Sequence, residues 1–273
     1  MFSKYIPIHI KKIDEIVHWE NVSDFHEGNA NHVRRLAKSV RQRMLDEEYR
    51  FMSFGGDQLD LILPKNDPRY NDKSVRIRSK GEQMDAFDEF WEPVFEMQLK
   101  YLDGKTKNEK IWYEQWGNHE YNSRVMEEVE FQRWCLSHGT TYLGSKGFIR
   151  LEIFHKGKSL MKKTLHVNHG FGSGDAKKAL ENLTVNVEAD VYQMGHLHQP
   201  MGIKSDILYF NDNPKVMAWD SKDQILVNSG CFTTGIADGK DEWFGQRNKL
   251  KTSKPGTVTI SFNAYQGKMN VHE

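Results

Sequence analysis

Apolar residues in this chain come in short runs, and most runs end in a glycine, aspartate, asparagine or histidine. Ile6, Ile8 and Ile10 alternate with Pro7 and His9, the period of a strand. Asp14-Glu15 is expected to turn the chain back into a second strand, Ile16 to Ser23. Val33, Leu36, Val40 and Met44 then recur at helical spacing and predict a helix from Ala30 to Glu48. After it one pattern repeats. Tyr49 to Phe54 runs into Gly55-Gly56-Asp57, and Lys110 to Trp116 into Gly117-Asn118-His119. Thr164 to Asn168 runs into His169, Asp190 to Met194 into Gly195-His196, and Ile225 to Asn228 into Ser229-Gly230. Helices are expected at Gln83 to Tyr101, Val125 to Ser137 and Asp175 to Leu183, and a late strand at Thr257 to Phe262.

Strands alternating with helices predict an α/β layered fold, whose ligands gather at the carboxyl ends of the strands. The polar motifs fall at those ends. Two segments stand apart. Leu63 to Lys80 is charged, carries Pro64 and Pro68, and reads as an irregular insertion. Thr233 to Gly256 reads as a long polar loop, and loops of that length inside a domain are usually functional or mobile.

Length and composition narrow the picture. The 273 residues are expected to form a single domain, 1–273. Aromatics at 12% argue against disorder, and the mean hydropathy of -0.72 implies a very polar surface. Lys+Arg and Asp+Glu are both 38, which argues against coating nucleic acid by bulk charge but leaves room for a local basic groove. Cys135 and Cys231 cannot make a disulfide framework. With no signal-peptide core and no apolar run of bilayer length, a cytoplasmic protein with no membrane partner is expected.

The motifs carry the chemistry. In order they are Asp24-Phe25-His26, Gly56-Asp57-Gln58-Leu59-Asp60, Gly117-Asn118-His119-Glu120, His169-Gly170 and Gly195-His196-Leu197-His198, followed by the Asn228-Ser229-Gly230 turn, which offers no ligand. A two-metal site needs one carboxylate bridging both ions and further nitrogen and oxygen ligands on either side. Asp57 is central in the order and is the natural bridge. Asp24, His26 and one distal histidine can complete one site, and Asn118 with two distal histidines the other. Residues two apart in extended chain point the same way, which accounts for the spacing of Asp24 with His26 and of His196 with His198. His119, beside a ligand, is expected to face the substrate and to donate a proton to a departing alkoxide, with Asp60 holding its ring. Mixed His/Asp/Asn ligation suits Mn²⁺ first, with Fe, Zn²⁺ or Ni²⁺ as alternatives.

This motif series, D-x-H, G-D-x-x-D, G-N-H-E, a histidine and G-H-x-H, resembles the calcineurin-like metallophosphoesterase superfamily from Asp24 to His198. The resemblance implies a four-layer αββα sandwich of two mixed sheets flanked by helices. It also implies one metal on Asp24, His26, Asp57 and His198, and a second on Asp57, Asn118, His169 and His196. His119 would be the catalytic histidine and Asp60 its orienting partner. Protein phosphatases of this fold carry arginine where Leu61 and Trp116 stand here, whereas His198 looks more like the diesterase branches. The 75 residues after His198 leave little room for a DNA-binding cap, so a stand-alone esterase of bacterial or phage type is expected.

The expected activity is metal-dependent phosphodiester hydrolysis on nucleic acid or a nucleotide. The rivals are a phosphomonoesterase and a non-catalytic scaffold, the latter disfavoured because no ligand is missing. Lys240, Arg247, Lys249, Lys251 and Lys254 with Trp243 and Phe244 suggest substrate contacts, Arg247, Lys249 and Trp243 foremost. His32 is close enough to the first motif to line a pocket. His18, His138, His155 and His166 read as surface or packing residues, and the Trp112-Tyr113 and Trp91-Phe95 groups as core.

Overall fold

The structure, a computed structural model, describes residues 2–64, 67, 69–123, 125–170, 174–185, 187–211, 218–234 and 255–273. Two sheets face each other. One has the order β1 (Phe2–Ile10), β5 (Lys146–His155), β6 (Lys158–Asn168), β7 (Val191–Met194), β9 (Ala218–Asn228), β8 (Met201–Asn211). The other runs β13 (Lys268–His272), β12 (Thr259–Asn263), β2 (Ile16–Val22), β3 (Arg50–Phe54), β4 (Ile111–Glu114). Both are mixed: β2, β3 and β4 are parallel neighbours in the second sheet, and β6, β7 and β9 in the first. A short pair, β10 (Gly230–Cys231) with β11 (Gly256–Thr257), lies beside them.

Alternation along the strands builds the layers. In β3, Phe51 enters the core between the sheets while Met52 and Phe54 turn outward to the helices. In β9, Ile225 and Val227 face the other sheet while Leu226 turns away. The outward face of the second sheet is covered by α1 (Arg34–Asp46), α2 (Lys80–Leu102) and α4 (Glu128–Ser137) through Val40, Phe87, Trp91 and Trp134. The outward face of the first sheet is covered by α5 (Ala176–Thr184) through Leu180. The architecture is therefore the four-layer αββα sandwich. Trp112, Tyr113, Trp91 and Phe95 are all buried in it, as core residues.

Two expectations change. β1 and β2 do not form a hairpin; β1 pairs in parallel with β5, and β2 joins the other sheet. Ile6, Ile8 and Ile10 on one strand and Val17 and Trp19 on the other enter the same core from opposite sheets, so the strands face each other instead of pairing. Helix α1 starts at Arg34 rather than Ala30, the preceding stretch being held by β-bridges of Asn29 with Val75 and His32 with Thr233. Leu63 to Ser79 holds no helix and no strand among its described residues, matching the expected insertion. No helix among the described residues is long and apolar enough to cross a membrane.

Candidate metal centre

The loops after β2, β3 and β4 and those after β6 and β7 all leave the carboxyl ends of parallel strands, and the two sheets aim them at one another. Backbone hydrogen bonds lock the loops together. The N–H groups of Asp24, His26 and Glu27 donate to the carbonyls of Gly56, Asp57 and Gln58 at 3.0, 3.0 and 2.8 Å. The Gly195 N–H donates to the His169 carbonyl at 3.1 Å.

Asp24, His26, Asp57, His196 and His198 all adopt positive φ, between 49° and 69°, so the spacings of Asp24 with His26 and of His196 with His198 do not come from the extended chain expected. For residues with a Cβ this left-handed backbone is strained, and such strain collects where a site dictates the direction of side chains. Two glycines are required by close contact. A Cβ on Gly117 would lie 2.1 Å from Asp57 Oδ1, and one on Gly195 2.0 Å from Ser23 Oγ.

Two separate groups of donor atoms result, and a third that shares His26 with the first. Asp24, His26 and His198 form the first, Asp57, His169 and His196 the second, and His26, Asp60 and His119 the third, with the donor atoms of each group within 4.8 Å of one another. In the first, His198 Nε2 lies 3.1 Å from Asp24 Oδ1 and 3.2 Å from His26 Nε2. In the second, His169 Nε2 lies 3.3 Å from Asp57 Oδ2. The Asn118 amide enters that second group, one terminal atom lying 3.2 Å from His169 Nε2, 3.1 Å from Asp57 Oδ2 and 2.6 Å from His196 Nδ1. With nitrogen in that place the amide donates to all three atoms, and with oxygen there it can share a cation with them. Ligands held about 2.0–2.2 Å from one ion lie roughly 3–3.5 Å apart, so the spacings suit a cation between them. The chemistry agrees, because imidazole, carboxylate and amide oxygen together match a borderline divalent ion.

Charge is organised to the same end. Burial by itself would raise the Asp24 pKa, but His198 and His169 outweigh it and hold the group at about 2. Burial likewise opposes ionisation of Asp57, and His169 and His119 bring its carboxyl well below the usual range. Both carboxylates are thus anionic and fully inside the protein, a state that persists only with cationic partners.

His119 belongs to neither of the first two groups and meets His26 and Asp60 in the third. Its backbone N–H donates to Asp57 Oδ1 at 2.7 Å, and its Nδ1 faces the backbone carbonyl of Asp60, so Nδ1 carries the proton and Nε2 points away. The Asp60 carboxylate has a different partner from the one expected. Oδ1 lies 3.4 Å from His26 Nδ1 and 3.9 Å from His119 Nδ1, and accepts from Asn29 Nδ2 at 3.1 Å. Asp60 therefore touches the His119 ring through its main chain and the His26 ring through its side chain.

Sequence reasoning assigned no role to Glu120. Fully buried, its carboxylate accepts the backbone N–H groups of Asp57, Leu59 and Gly117 at 3.1, 3.0 and 3.0 Å. Burial and the nearby Asp57 charge push its pKa up to about 8, against the pull of those N–H donors. Glu120, three residues after Gly117 at a helix start, is placed to reach back to the Gly117 N–H, a signal that could have revealed it. Ser23 was also missed; its hydroxyl donates to Asp24 Oδ2 at 2.6 Å.

His32 stays outside all three groups. It lies against Phe25 and Phe232, neither ring nitrogen has a hydrogen-bond partner among the described residues, and burial, then Arg34 and Arg76, lowers its pKa to about 3. Arg247, Lys249 and Trp243, with Lys240, Phe244, Lys251 and Lys254, lie outside the described residues. Asn228 and Ser229 are struts: Asn228 Nδ2 donates to the Gln199 carbonyl at 2.6 Å, and Ser229 Oγ accepts from Asn21 of the opposite sheet at 3.0 Å.

No protein-family model matches this chain, and no curated protein does. Among solved structures it is similar to a single mutant of Vps29 from Entamoeba histolytica, at 10% identity and a TM-score of 0.40, over 94% of this chain and 97% of that one.

Proposed function

We propose that this chain is a metal-dependent phosphoester hydrolase of the calcineurin-like metallophosphoesterase type, acting on phosphodiesters in a nucleotide or nucleic acid. The observation that carries the reading is the convergence of Asp24, His26 and His198 on one side and Asp57, Asn118, His169 and His196 on the other, on backbone of positive φ with the donor atoms of each side gathered closely. The first group would hold one divalent ion and the second another, Mn²⁺ being the first choice, with Asp57 shared. Bound there, the ions would polarise the phosphoryl oxygens and acidify a water for in-line attack.

The chain's own residues supply the rest. Asp57 Oδ1 holds the His119 main chain, and the Asp60 carbonyl fixes the ring with Nδ1 protonated and Nε2 outward. Only as the imidazolium, which burial disfavours and Asp57 favours, can a ring so held pass a proton from Nε2 to a leaving oxygen. Preference for diesters is supported by His198, which lies against both Asp24 and His26, and by Leu61 and Trp116, which are buried at positions where phosphatases of this fold carry arginine.

The test is hydrolysis of bis-p-nitrophenyl phosphate beside p-nitrophenyl phosphate with added Mn²⁺. The reading expects the diester to be cleaved with the higher kcat/KM. Preferential cleavage of the monoester would move the assignment to a phosphomonoesterase, and cleavage of neither would favour a non-catalytic scaffold.

A further inference from the structure

The insertion between Leu63 and Lys80 lacks regular structure among its described residues, yet it is tied firmly to the loop of Asp24 and His26. The backbone N–H groups of Arg76 and Ile77 both donate to the Gly28 carbonyl, at 2.7 and 3.1 Å. Ala30 N–H donates to the Ser74 carbonyl at 3.0 Å, and the buried Glu27 carboxylate pairs with Arg76. Gln83 fastens both flanks, accepting from the Leu61 N–H at 3.0 Å and donating to the Ile77 carbonyl at 2.9 Å.

This anchored segment carries Arg69. One edge of its guanidinium is occupied, Nε donating to Asp67 Oδ1 at 2.9 Å and Nη2 to Oδ2 at 2.6 Å. Asp67 also accepts the Arg69 backbone N–H at 2.8 Å, so side chain and main chain are fixed by one carboxylate. The other end of the fork, with the Nη1 donors, faces the candidate centre, where Nη1 reaches His119 Nε2 at 3.5 Å. Asp57 and Asp60 are near enough for their charges to act on it.

That arrangement exceeds what a structural ion pair requires. An arginine has only donors, and its planar end matches phosphate oxygens. Leu61 and Trp116 are buried and offer no charge to the centre, so the insertion supplies a cation that the motif loops lack.

We infer that Arg69 is a substrate-binding residue whose Nη1 edge, facing the centre, takes oxygen atoms of the phosphoryl group, with Asp67 setting its direction. The inference rests on the hydrolase reading above and adds to it how the phosphate is held.

The test uses the full chain loaded with Mn²⁺ and titrated with inorganic phosphate by calorimetry, with metal content measured in parallel. Arg69→Ala should weaken phosphate binding about 10- to 100-fold, the usual range for losing hydrogen bonds to a charged group, while metal content stays at the wild-type value. Unchanged phosphate affinity at wild-type metal content would overturn the inference and reduce Arg69 to an anchor for the insertion. Should Arg69→Ala lose metal, Arg69→Lys decides, because it keeps the charge and loses the fork; a loss of several-fold supports the inference and unchanged affinity overturns it. Phosphate binding that depends on Arg69 in a protein that hydrolyses neither nitrophenyl ester would strike the hydrolase reading and leave the phosphate site standing.

Discussion

Glu120 binds the backbone of Asp57: the Asp57 N–H donates to Glu120 Oε2 at 3.1 Å, and the same oxygen accepts from Gly117 N–H at 3.0 Å. One buried carboxylate thus sets the distance between the loop of the bridging aspartate and the loop of Asn118 and His119. Glu120→Gln replaces one accepting oxygen by a donor that would face an N–H. We predict that the protein still folds and binds metal about 10- to 100-fold more weakly, as for other groups that orient ligands without touching the ion. Metal titration of the purified variant checks this, and wild-type affinity would show that the latch is dispensable.

Asp57→Asn should lose at least one ion and nearly all turnover, because a neutral amide cannot bridge two cations as a carboxylate does. Elemental analysis alongside kcat is the measurement. Retention of both ions with high activity would remove Asp57 from the bridging role.

His119→Asn should keep the metals and lower kcat about 10²- to 10⁴-fold on esters with poor leaving groups. The loss should shrink with nitrophenolate, which departs without a proton. Equal losses on both kinds of substrate would make His119 structural.

His138 gives a prediction about stability. It is buried, stacked on Phe95 at 4.0 Å between ring centres, and held between Glu114 at 2.9 Å and Asp88 at 3.0 Å. Burial would lower its pKa, but these carboxylates outweigh burial and raise it to about 9, against an ordinary 6.5. A histidine whose folded pKa is raised contributes fully below its unfolded value, and the contribution is lost as pH rises through the folded value. Stability of the metal-saturated protein should therefore fall between about pH 6.5 and pH 9, by on the order of 3 kcal/mol at most. His138→Gln should flatten that decline in urea melts taken across the range; an unchanged slope would assign the decline to other groups.

The sequence made some of this legible and hid the rest. The layered fold was readable because β3, β4 and β7 are short, buried and end in unmistakable polar loops. The candidate ligands were readable because each follows such a strand, and the structure brings them into two groups. The solvated half of β6, with Lys158, Lys162 and Lys163, carries too little apolar signal to show a strand. The alternation of Ile149, Leu151 and Ile153 in β5 is a strand signal that the reading left unassigned. Arg69 was hidden for another reason: its direction depends on Asp67 and on anchors at Gly28 and Gln83, which no periodicity reveals. The partners of Asp60 were hidden likewise, since a main-chain carbonyl leaves no mark in a sequence.

The most direct test of the central claim is metal content measured together with diester hydrolysis. Protein stripped with EDTA should cleave no bis-p-nitrophenyl phosphate, and titration with Mn²⁺ should restore activity in step with the binding of two ions per chain. Full hydrolysis by metal-free protein, or metal binding that Asp24→Ala and His169→Ala leave unchanged, would contradict the account.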